Sequence, residues 1–362
     1  MKQIIPSPEY KFVINALRSF LNRETSFPTD DNVLKSMNWD KVILFAKYQN
    51  ILTIIYHVFS KQGILNKIPS EYATEIEKDY FGKTAFAMHY ENLLKEITDT
   101  LYQKGIPFIV IKGPTIAFDL YEPRETRPYQ DLDLLIKSRD YSRVKPILLQ
   151  HKFRVTNPVA EVRRRKYLNS IEFSKTEFQN ISIDLHWDTL MVSWGKAFFS
   201  EQKVWENIRW LELSGIKIPT LNPMILIPYL CLHLAFHHQF GKLQTLCDLD
   251  LAVKKFSKDI DWAELFEQSL TMKMSKTVIY SMKLAESILK TKFPPTVSKV
   301  LRKKTIEEKL FPFSYFVFRE KPVSEMVGRI ARFILIDDFR GKVQSLVTFF
   351  KLLKASIIAR VA

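Results

Sequence analysis

Apolar residues recur at intervals of three and four positions along residues 8–104, and this spacing is typical of amphipathic helices. The segment NVLKSMNWDKVILFAKYQNILTIIYHVFSKQG shows it clearly, and so does the stretch from Tyr72 to Lys104. The spacing then changes to short apolar runs that end at turns, before a helical pattern returns from about Leu221. The pattern therefore predicts helices at both ends of the chain and a different module between them.

The middle of the chain has the pattern of a sheet. PFIVIKG (107–113) and DLDLLIK (131–137) are apolar runs of strand length, and SRDYSRVKPILLQHK (138–152) has helical spacing. Further strand-like segments follow at short intervals: FRVTN, SIEFSK and NISIDLHW. Strands interleaved with helices in this way indicate an α+β module built on a mixed sheet.

These patterns divide the chain into an N-terminal helical region (1–104), an α+β module (105–200) and a C-terminal helical region (201–362). We expect the C-terminal helices to break at Pro294-Pro295 and around Gly341.

Two aspartates, Asp131 and Asp133, fall on one face of the second predicted strand, because side chains two residues apart in a strand point the same way. Asp184 has the equivalent place on the polar face of NISIDLHW. If these strands are neighbours, the carboxylates share one surface, and such a set of oxygen ligands suits Mg²⁺ or Mn²⁺. The alternative is that they cap a sheet edge or form ion pairs with Arg124, Arg127 or Lys137.

The turn before the aspartates resembles a phosphate site. A strand ends at Gly113, and a helix is predicted to begin with Pro114, where proline is well tolerated. Backbone N–H groups at a helix start attract phosphate, but Pro114 has none, so Thr115 and Ile116 would have to bind it.

Two basic residues near this turn, Lys112 and Arg127, are candidates for balancing phosphate charge. The alternative for Lys112 is a solvated lysine at a strand end, and for Arg127 an ion pair with Glu122 or Glu125.

Other acidic pairs have structural explanations. Asp248 and Asp250 lie in a helical pattern, where positions two apart point in different directions. Asp261 and Glu264 have the spacing of a helix capping box.

Histidines supply further candidates. His186 shares the carboxylate face of its strand and is a candidate for contacting phosphate. His233, His237 and His238 lie in one helical pattern, but HLAFH lacks the glutamate of the zinc motif HExxH. We therefore expect these histidines to pack against the sheet module, or to contact a base or acceptor, rather than to bind metal.

Composition narrows the classes of protein. No two of the nine glycines form a GxG pattern, which excludes a dinucleotide fingerprint and a P-loop. The net charge of +15 indicates an anionic partner or a basic surface without specific function. Two cysteines, no long apolar N-terminal stretch and no apolar run of membrane-spanning length predict a cytoplasmic protein without a transmembrane segment.

Two basic segments are open to more than one interpretation. The run Arg163–Lys166 could guide an anionic acceptor or simply be solvated. The C-terminal VQSLVTFFKLLKASIIARVA is basic and amphipathic, so it could contact a membrane or dock on the helical region.

The order of these motifs resembles the uncharacterised nucleotidyltransferase-like family within the DNA polymerase β superfamily. The shared features are a strand, Lys-Gly, a helix ending in Leu-Tyr, a loop arginine, DLDLLI, and then IDLHW. The likeness extends from about residue 35 to about residue 290. One departure is Gly113-Pro114, where the superfamily usually has Gly-Ser or Gly-Gly.

The resemblance implies a polymerase-β-like nucleotidyltransferase palm, a mixed sheet flanked by helical regions. It implies that Asp131 and Asp133 bind two divalent metals and that Asp184 completes the site. Gly113 and the following helix would hold the β- and γ-phosphates of a nucleoside triphosphate (NTP).

The sequence therefore predicts an Mg²⁺- or Mn²⁺-dependent transferase that moves NMP, most plausibly AMP, from an NTP to an acceptor hydroxyl and releases pyrophosphate. The acceptor is open: a small molecule, a protein side chain or an RNA end. The alternatives are a palm-fold scaffold without activity, which Gly113-Pro114 would favour, and a basic RNA-binding protein.

Overall fold

A computed structural model of the chain describes residues 5–27, 29–158, 170–176, 181–187, 192–193, 196–197, 201–321 and 324–337. Three sequence predictions fall outside this set: the basic run at 163–166, the break around Gly341 and the amphipathic C-terminal segment. Within the described residues, no helix has both the length and the apolar character needed to cross a membrane.

The N-terminal region is helical, as its periodicity predicted. Ser7, Asp30 and Asn38 each cap a helix by accepting a backbone N–H with the side chain. The helices are α1 (Pro8–Leu21), α2 (Asp31–Ser36), α3 (Trp39–Tyr48), α4 (Leu52–Lys61) and α5 (Ser70–Gln103), with a short 3₁₀ turn at Leu65–Lys67.

A mixed sheet of seven strands forms the centre of the molecule, in the order β3-β4-β5-β2-β1-β9-β8. β2 runs parallel to β5, β1 runs parallel to β9, and the other neighbours are antiparallel. The strands are β1 (Phe108–Val110), β2 (Asp131–Ile136), β3 (Arg154–Val155), β4 (Ser170–Lys175), β5 (Ile181–Trp187), β8 (Ile208–Leu213) and β9 (Ile216–Leu221), and a separate ribbon pairs β6 (Val192–Ser193) with β7 (Lys196–Ala197).

Short helices connect the strands. They are α6 (Pro114–Leu120), α7 (Tyr141–Gln150) and α8 (Glu201–Glu206), with 3₁₀ turns at Arg124–Thr126 and Ser138–Asp140. The sheet was predicted to end by residue 200, but β8 and β9 extend it through residue 221. Residues 208–221 form a hairpin whose second strand pairs with β1. The first strand of this hairpin, β8, is exposed or half-buried along most of its length, so its sequence lacks the apolar run of a buried strand.

The C-terminal region returns to helices. α9 is apolar on every side, because it is buried among other helices. The chain breaks at Pro294-Pro295, as the sequence predicted. The helices are α9 (Pro223–Phe236), α10 (Leu243–Phe256), α11 (Trp262–Thr271), α12 (Ser275–Leu289), α13 (Pro295–Leu301), α14 (Ile306–Leu310), α15 (Phe313–Val317) and α16 (Glu325–Ile334).

α5 links the two hydrophobic cores. Near its start, Ile76 packs into the core shared by the N- and C-terminal helices. Its second half, including Tyr90, Leu94 and Ile97, packs against the sheet. The helix that ends the predicted N-terminal region is therefore also one of the layers that cover the sheet.

Candidate active site

The carboxylates meet as the strand pattern predicted. β2 and β5 are adjacent and parallel, and their register places Asp133 opposite Asp184 and Asp131 opposite Ser182. Leu132 is fully buried on the other face of β2. The condition stated for the sequence prediction, that the two strands are neighbours, is met, and three aspartates share one face of the sheet.

Lys112 supplies the positive charge between two of these aspartates. Its Nζ lies 2.5 Å from Asp133 Oδ2 and 3.2 Å from Asp131 Oδ2. The Lys112 side chain is 13% exposed and lies two residues after the end of β1, so it is not a solvated lysine at a strand end. The other alternative was an ion pair with Arg124, Arg127 or Lys137. The ion-pair partner of Asp131 and Asp133 is instead Lys112, which the fold brings beside β2.

Burial and charge act differently on the three carboxyl groups. Burial and the neighbouring charge of Asp133 raise the pKa of Asp184 to about 6, and the same two causes raise the pKa of Asp131. Burial would also raise the pKa of Asp133, but Lys112 and His186 outweigh it and hold that pKa below its usual value. The site therefore favours the ionised form of Asp133 and disfavours ionisation of Asp131 and Asp184.

These residues fit a divalent cation. Asp133, Asp184 and His186 each offer one ligand atom, and the three atoms lie within 4.8 Å of one another. His186 Nε2 also lies 3.2 Å from Asp133 Oδ1. The carboxylates outnumber the single ammonium group beside them, so the ionised site keeps excess negative charge that Mg²⁺ or Mn²⁺ would neutralise. His186, predicted to contact phosphate, thus also offers an atom to this candidate metal group, whereas Asp131 lies outside the group.

Tyr90, on α5, fixes the start of both acidic strands, and sequence reasoning missed it. Its hydroxyl accepts the backbone N–H of Ser182 at 2.8 Å and donates to the backbone carbonyl of Gln130 at 2.5 Å. It therefore joins the residue before Asp131 to β5, from its place in the core beneath the sheet. A tyrosine in a helical pattern carries no sequence signal for this role.

The turn at Gly113 depends on glycine. Its φ of +75° is unfavourable for other residues, and a Cβ there would lie 3.0 Å from the backbone oxygen of Asp131. The predicted helix does begin at Pro114. Thr115 is buried, and its hydroxyl has no hydrogen-bond partner in the described part of the chain. Its side chain does not line the cavity that contains the carboxylates.

Arg127 is held by Asp248, a residue that we had explained only by its helical pattern. Arg127 Nε and a terminal guanidinium nitrogen donate to the two Asp248 oxygens at 2.8 and 2.7 Å. The Tyr121 hydroxyl donates to the same carboxylate at 2.7 Å, and Arg127 also donates to the Gly113 carbonyl at 3.3 Å. This buried clamp joins the turn before β2 to α10, and the predicted alternatives Glu122 and Glu125 are not its partners.

Other acidic residues behave as their patterns suggested. Asp261 caps α11 by accepting the N–H groups of Ala263 and Glu264, both at 3.0 Å. Asp250 is buried and accepts the Thr291 hydroxyl at 2.6 Å. Neither aspartate lines the cavity at the carboxylates.

A cavity of about 470 Å³ opens over the carboxylates, between the sheet and the helices that follow it. Its sheet wall includes Lys112, Gly113 and Arg127, together with the three aspartates and His186. Its helical wall is polar but contains no acidic side chain among the described lining residues: Asn50, Tyr229, His233, His237, His238, Gln244 and Thr245.

The histidines of the helical wall form a ring cluster. The His233 ring stacks on His237 with centroids 4.7 Å apart and meets His238 edge-on at 4.7 Å. Among the described residues, the compact group with potential metal-ligand atoms is the one on the sheet, and it does not include these histidines. Their rings line a cavity whose other wall is the sheet, as expected for side chains that face the sheet module.

Comparison with known proteins adds one finding. A family model described as an uncharacterised nucleotidyltransferase matches residues 35–290, which include both walls of the cavity. No curated protein matches the chain.

Proposed function

This chain belongs to a family of uncharacterised nucleotidyltransferases, and from that premise we propose that it transfers NMP from an NTP to an acceptor hydroxyl and releases pyrophosphate. The reaction depends on Mg²⁺ or Mn²⁺, and AMP is the favoured group. The observation that carries the proposal is the pairing of Asp133 with Asp184 on adjacent strands, beside His186 and under an open cavity.

Asp133, Asp184 and His186 would hold the cation, with Asp131 completing the acidic face. The cation would neutralise charge on the reacting phosphate and on the departing pyrophosphate. Lys112 keeps Asp133 ionised and therefore ready to bind metal. It also limits repulsion between Asp131 and Asp133, which a single strand places on the same side.

Positioning carries the rest of the reaction. The cavity holds the nucleotide and acceptor against the sheet, so that the acceptor hydroxyl approaches the α-phosphate opposite the leaving pyrophosphate. Its helical wall offers imidazole, amide and hydroxyl groups. These groups suit an acceptor that is polar, whether or not the acceptor is charged. A small molecule, a protein hydroxyl and an RNA end all remain compatible with these groups.

The proposal is tested by thermal unfolding with and without Mg²⁺ and each of the four NTPs. A ligand present at 100 times its Kd adds about 2.7 kcal/mol of stability, which gives a clear rise in Tm. We expect that rise in the wild type and not in Asp131→Asn/Asp133→Asn. Asp99→Asn, an exposed aspartate on α5, should respond like the wild type.

The outcome that would overturn the proposal is an absence of any rise with Mg²⁺ or Mn²⁺ in the wild type. That result would favour a scaffold that keeps the palm fold without activity. Binding of RNA without Mg²⁺, with a steep dependence on salt, would favour the basic RNA-binding protein instead.

A further inference from the structure

The histidine cluster, His233, His237 and His238, lines the cavity that opens over the carboxylates. His233 comes from α9, and His237 and His238 follow directly after that helix. Their three rings line the same cavity as Lys112, Gly113 and Arg127. The cluster therefore shares a cavity with the turn between β1 and α6.

The fixed positive charges at this end are already paired. Lys112 contacts Asp131 and Asp133, and Arg127 contacts Asp248 through both carboxylate oxygens. A triphosphate or pyrophosphate brings several negative charges, and these two side chains cannot neutralise them without giving up their partners. The metal ion would neutralise part of this charge, and side chains that gain a proton on binding would supply more.

His233 and His238 can acquire it. Their rings make contacts with other rings but no hydrogen bond or ion pair to any described residue. Burial, together with the charges of neighbouring histidines and of Lys112 and Arg127, lowers the pKa of both; for His238 it falls to about 3, with Lys242 contributing. Both rings are therefore neutral at pH 7. A polyanion bound beside them would raise their pKa, because its negative charge stabilises the protonated ring.

We propose that His233 and His238, supported by the ring of His237, form the subsite for the terminal phosphates of the nucleotide and for released pyrophosphate, and that they take up a proton when this polyanion binds. The inference rests on the proposed nucleotidyl transfer and names the part of the cavity that receives the leaving group. A histidine that gains its charge only on binding avoids a buried, unpaired cation in the free protein.

The test uses inorganic pyrophosphate with Mg²⁺ and isothermal titration calorimetry in two buffers of different ionisation enthalpy, between pH 6 and 8. The proteins are the wild type, His238→Asn, the double variant His233→Asn/His238→Asn, and the control His57→Asn, whose histidine lies on α4 beside a different cavity. Comparing proteins at the same pH cancels the protonation of pyrophosphate itself. Melting temperatures of the free proteins show that each variant is folded.

We expect the wild type and His57→Asn to bind pyrophosphate with greater proton uptake than the double variant, by up to one proton, and with affinity that falls as pH rises. The double variant should bind about tenfold or more weakly at pH 6.5, the expected effect of losing a charge-assisted hydrogen bond. His238→Asn should show a smaller loss in the same direction.

Equal affinity and equal proton uptake in the wild type and the double variant would overturn the inference. So would a loss of ATP affinity without a loss of pyrophosphate affinity, since that would assign the histidines to the base. If the wild type binds Mg·ATP through its carboxylates and the variants bind pyrophosphate normally, only this inference fails. If the wild type binds neither ligand, the proposed function fails with it.

Discussion

At the scale of single residues, Lys112 and Asp184 define the charge balance of the site. Lys112 contacts Asp131 and Asp133, whereas burial and the charge of Asp133 outweigh the effect of Lys112 and His186 on Asp184 and raise its pKa. The free protein therefore keeps Asp184 in an unfavourable environment for ionisation. This is the arrangement expected where a metal ion completes the charge balance.

The environment of Asp184 makes stability depend on pH. Its carboxyl has a usual pKa of 3.8 that is raised to about 6 in the fold. The folded state thus binds the proton more tightly than the unfolded state, and stability falls as pH rises through this window. In EDTA at pH 7, Asp184→Asn should therefore be more stable than the wild type by roughly 1–3 kcal/mol.

Denaturant unfolding in EDTA at several pH values checks this prediction. The advantage of Asp184→Asn should vanish below about pH 4 and should be reduced at pH 7 when Mg²⁺ is added, because only the wild type gains from the metal. The exposed control Asp99→Asn should show neither trend. A less stable Asp184→Asn at pH 7 in EDTA would contradict the account.

At the scale of elements, the turn between β1 and α6 places Lys112 beside β2, and it does so through glycine. Gly113 has a positive φ and lies close to the backbone of Asp131, so a side chain there is both strained and obstructed. Gly113→Ala should cost about 2–3 kcal/mol of stability and should weaken Mg·ATP binding by displacing Asp131.

Gly82→Ala is the matched control for this substitution. Gly82 lies inside α5, and a Cβ at that position would meet nothing within 4 Å. Since alanine is the better helix former, this change should stabilise the protein by about 0.5–1 kcal/mol and leave binding unchanged. Equal stability of the two variants, measured by urea unfolding, would contradict the role assigned to the turn.

The alternation along β2 and β5 predicted which side chains share a face of each strand, because side chains in a strand repeat with a period of two. The shared acidic face also needed the two strands to be neighbours, which the fold shows. The same local signals identified the turn at Gly113. They did not identify Tyr90 or the pairing of Lys112 with both aspartates. Those contacts depend on how α5 and β1 pack against β2 and β5, and the local spacing of apolar residues does not predict that packing.

At the scale of the whole molecule, a buried ion pair joins the sheet module to the C-terminal helices. Arg127 precedes β2, Asp248 lies on α10, and their side chains are 7% and 2% exposed. Their separation along the chain explains why the sequence did not predict the pair: a helical aspartate and a loop arginine have many equally plausible partners. The clamp keeps the two walls of the cavity together.

A double-mutant cycle tests the clamp. Arg127→Met and Asp248→Leu should each cost about 3–5 kcal/mol, because each leaves a buried charge without its partner. The double variant should lose clearly less than the sum of the two. The exposed pair Arg23–Glu122, at 2.9 Å, is the control and should show a coupling below about 1 kcal/mol. Equal coupling in the two pairs would mean that the clamp is not a structural link.

The most direct test of the central claim follows the two ends of the triphosphate. Wild-type protein, Mg²⁺ and cell-extract fractions would be incubated with ATP labelled at either the α- or the γ-phosphate. We predict that the α-label becomes attached to an acceptor while the γ-label leaves as pyrophosphate, that Asp133→Asn and Asp184→Asn abolish both, and that Asp99→Asn changes neither. Transfer of the γ-label to an acceptor, α-label transfer that survives Asp133→Asn, or no transfer from any NTP would contradict it.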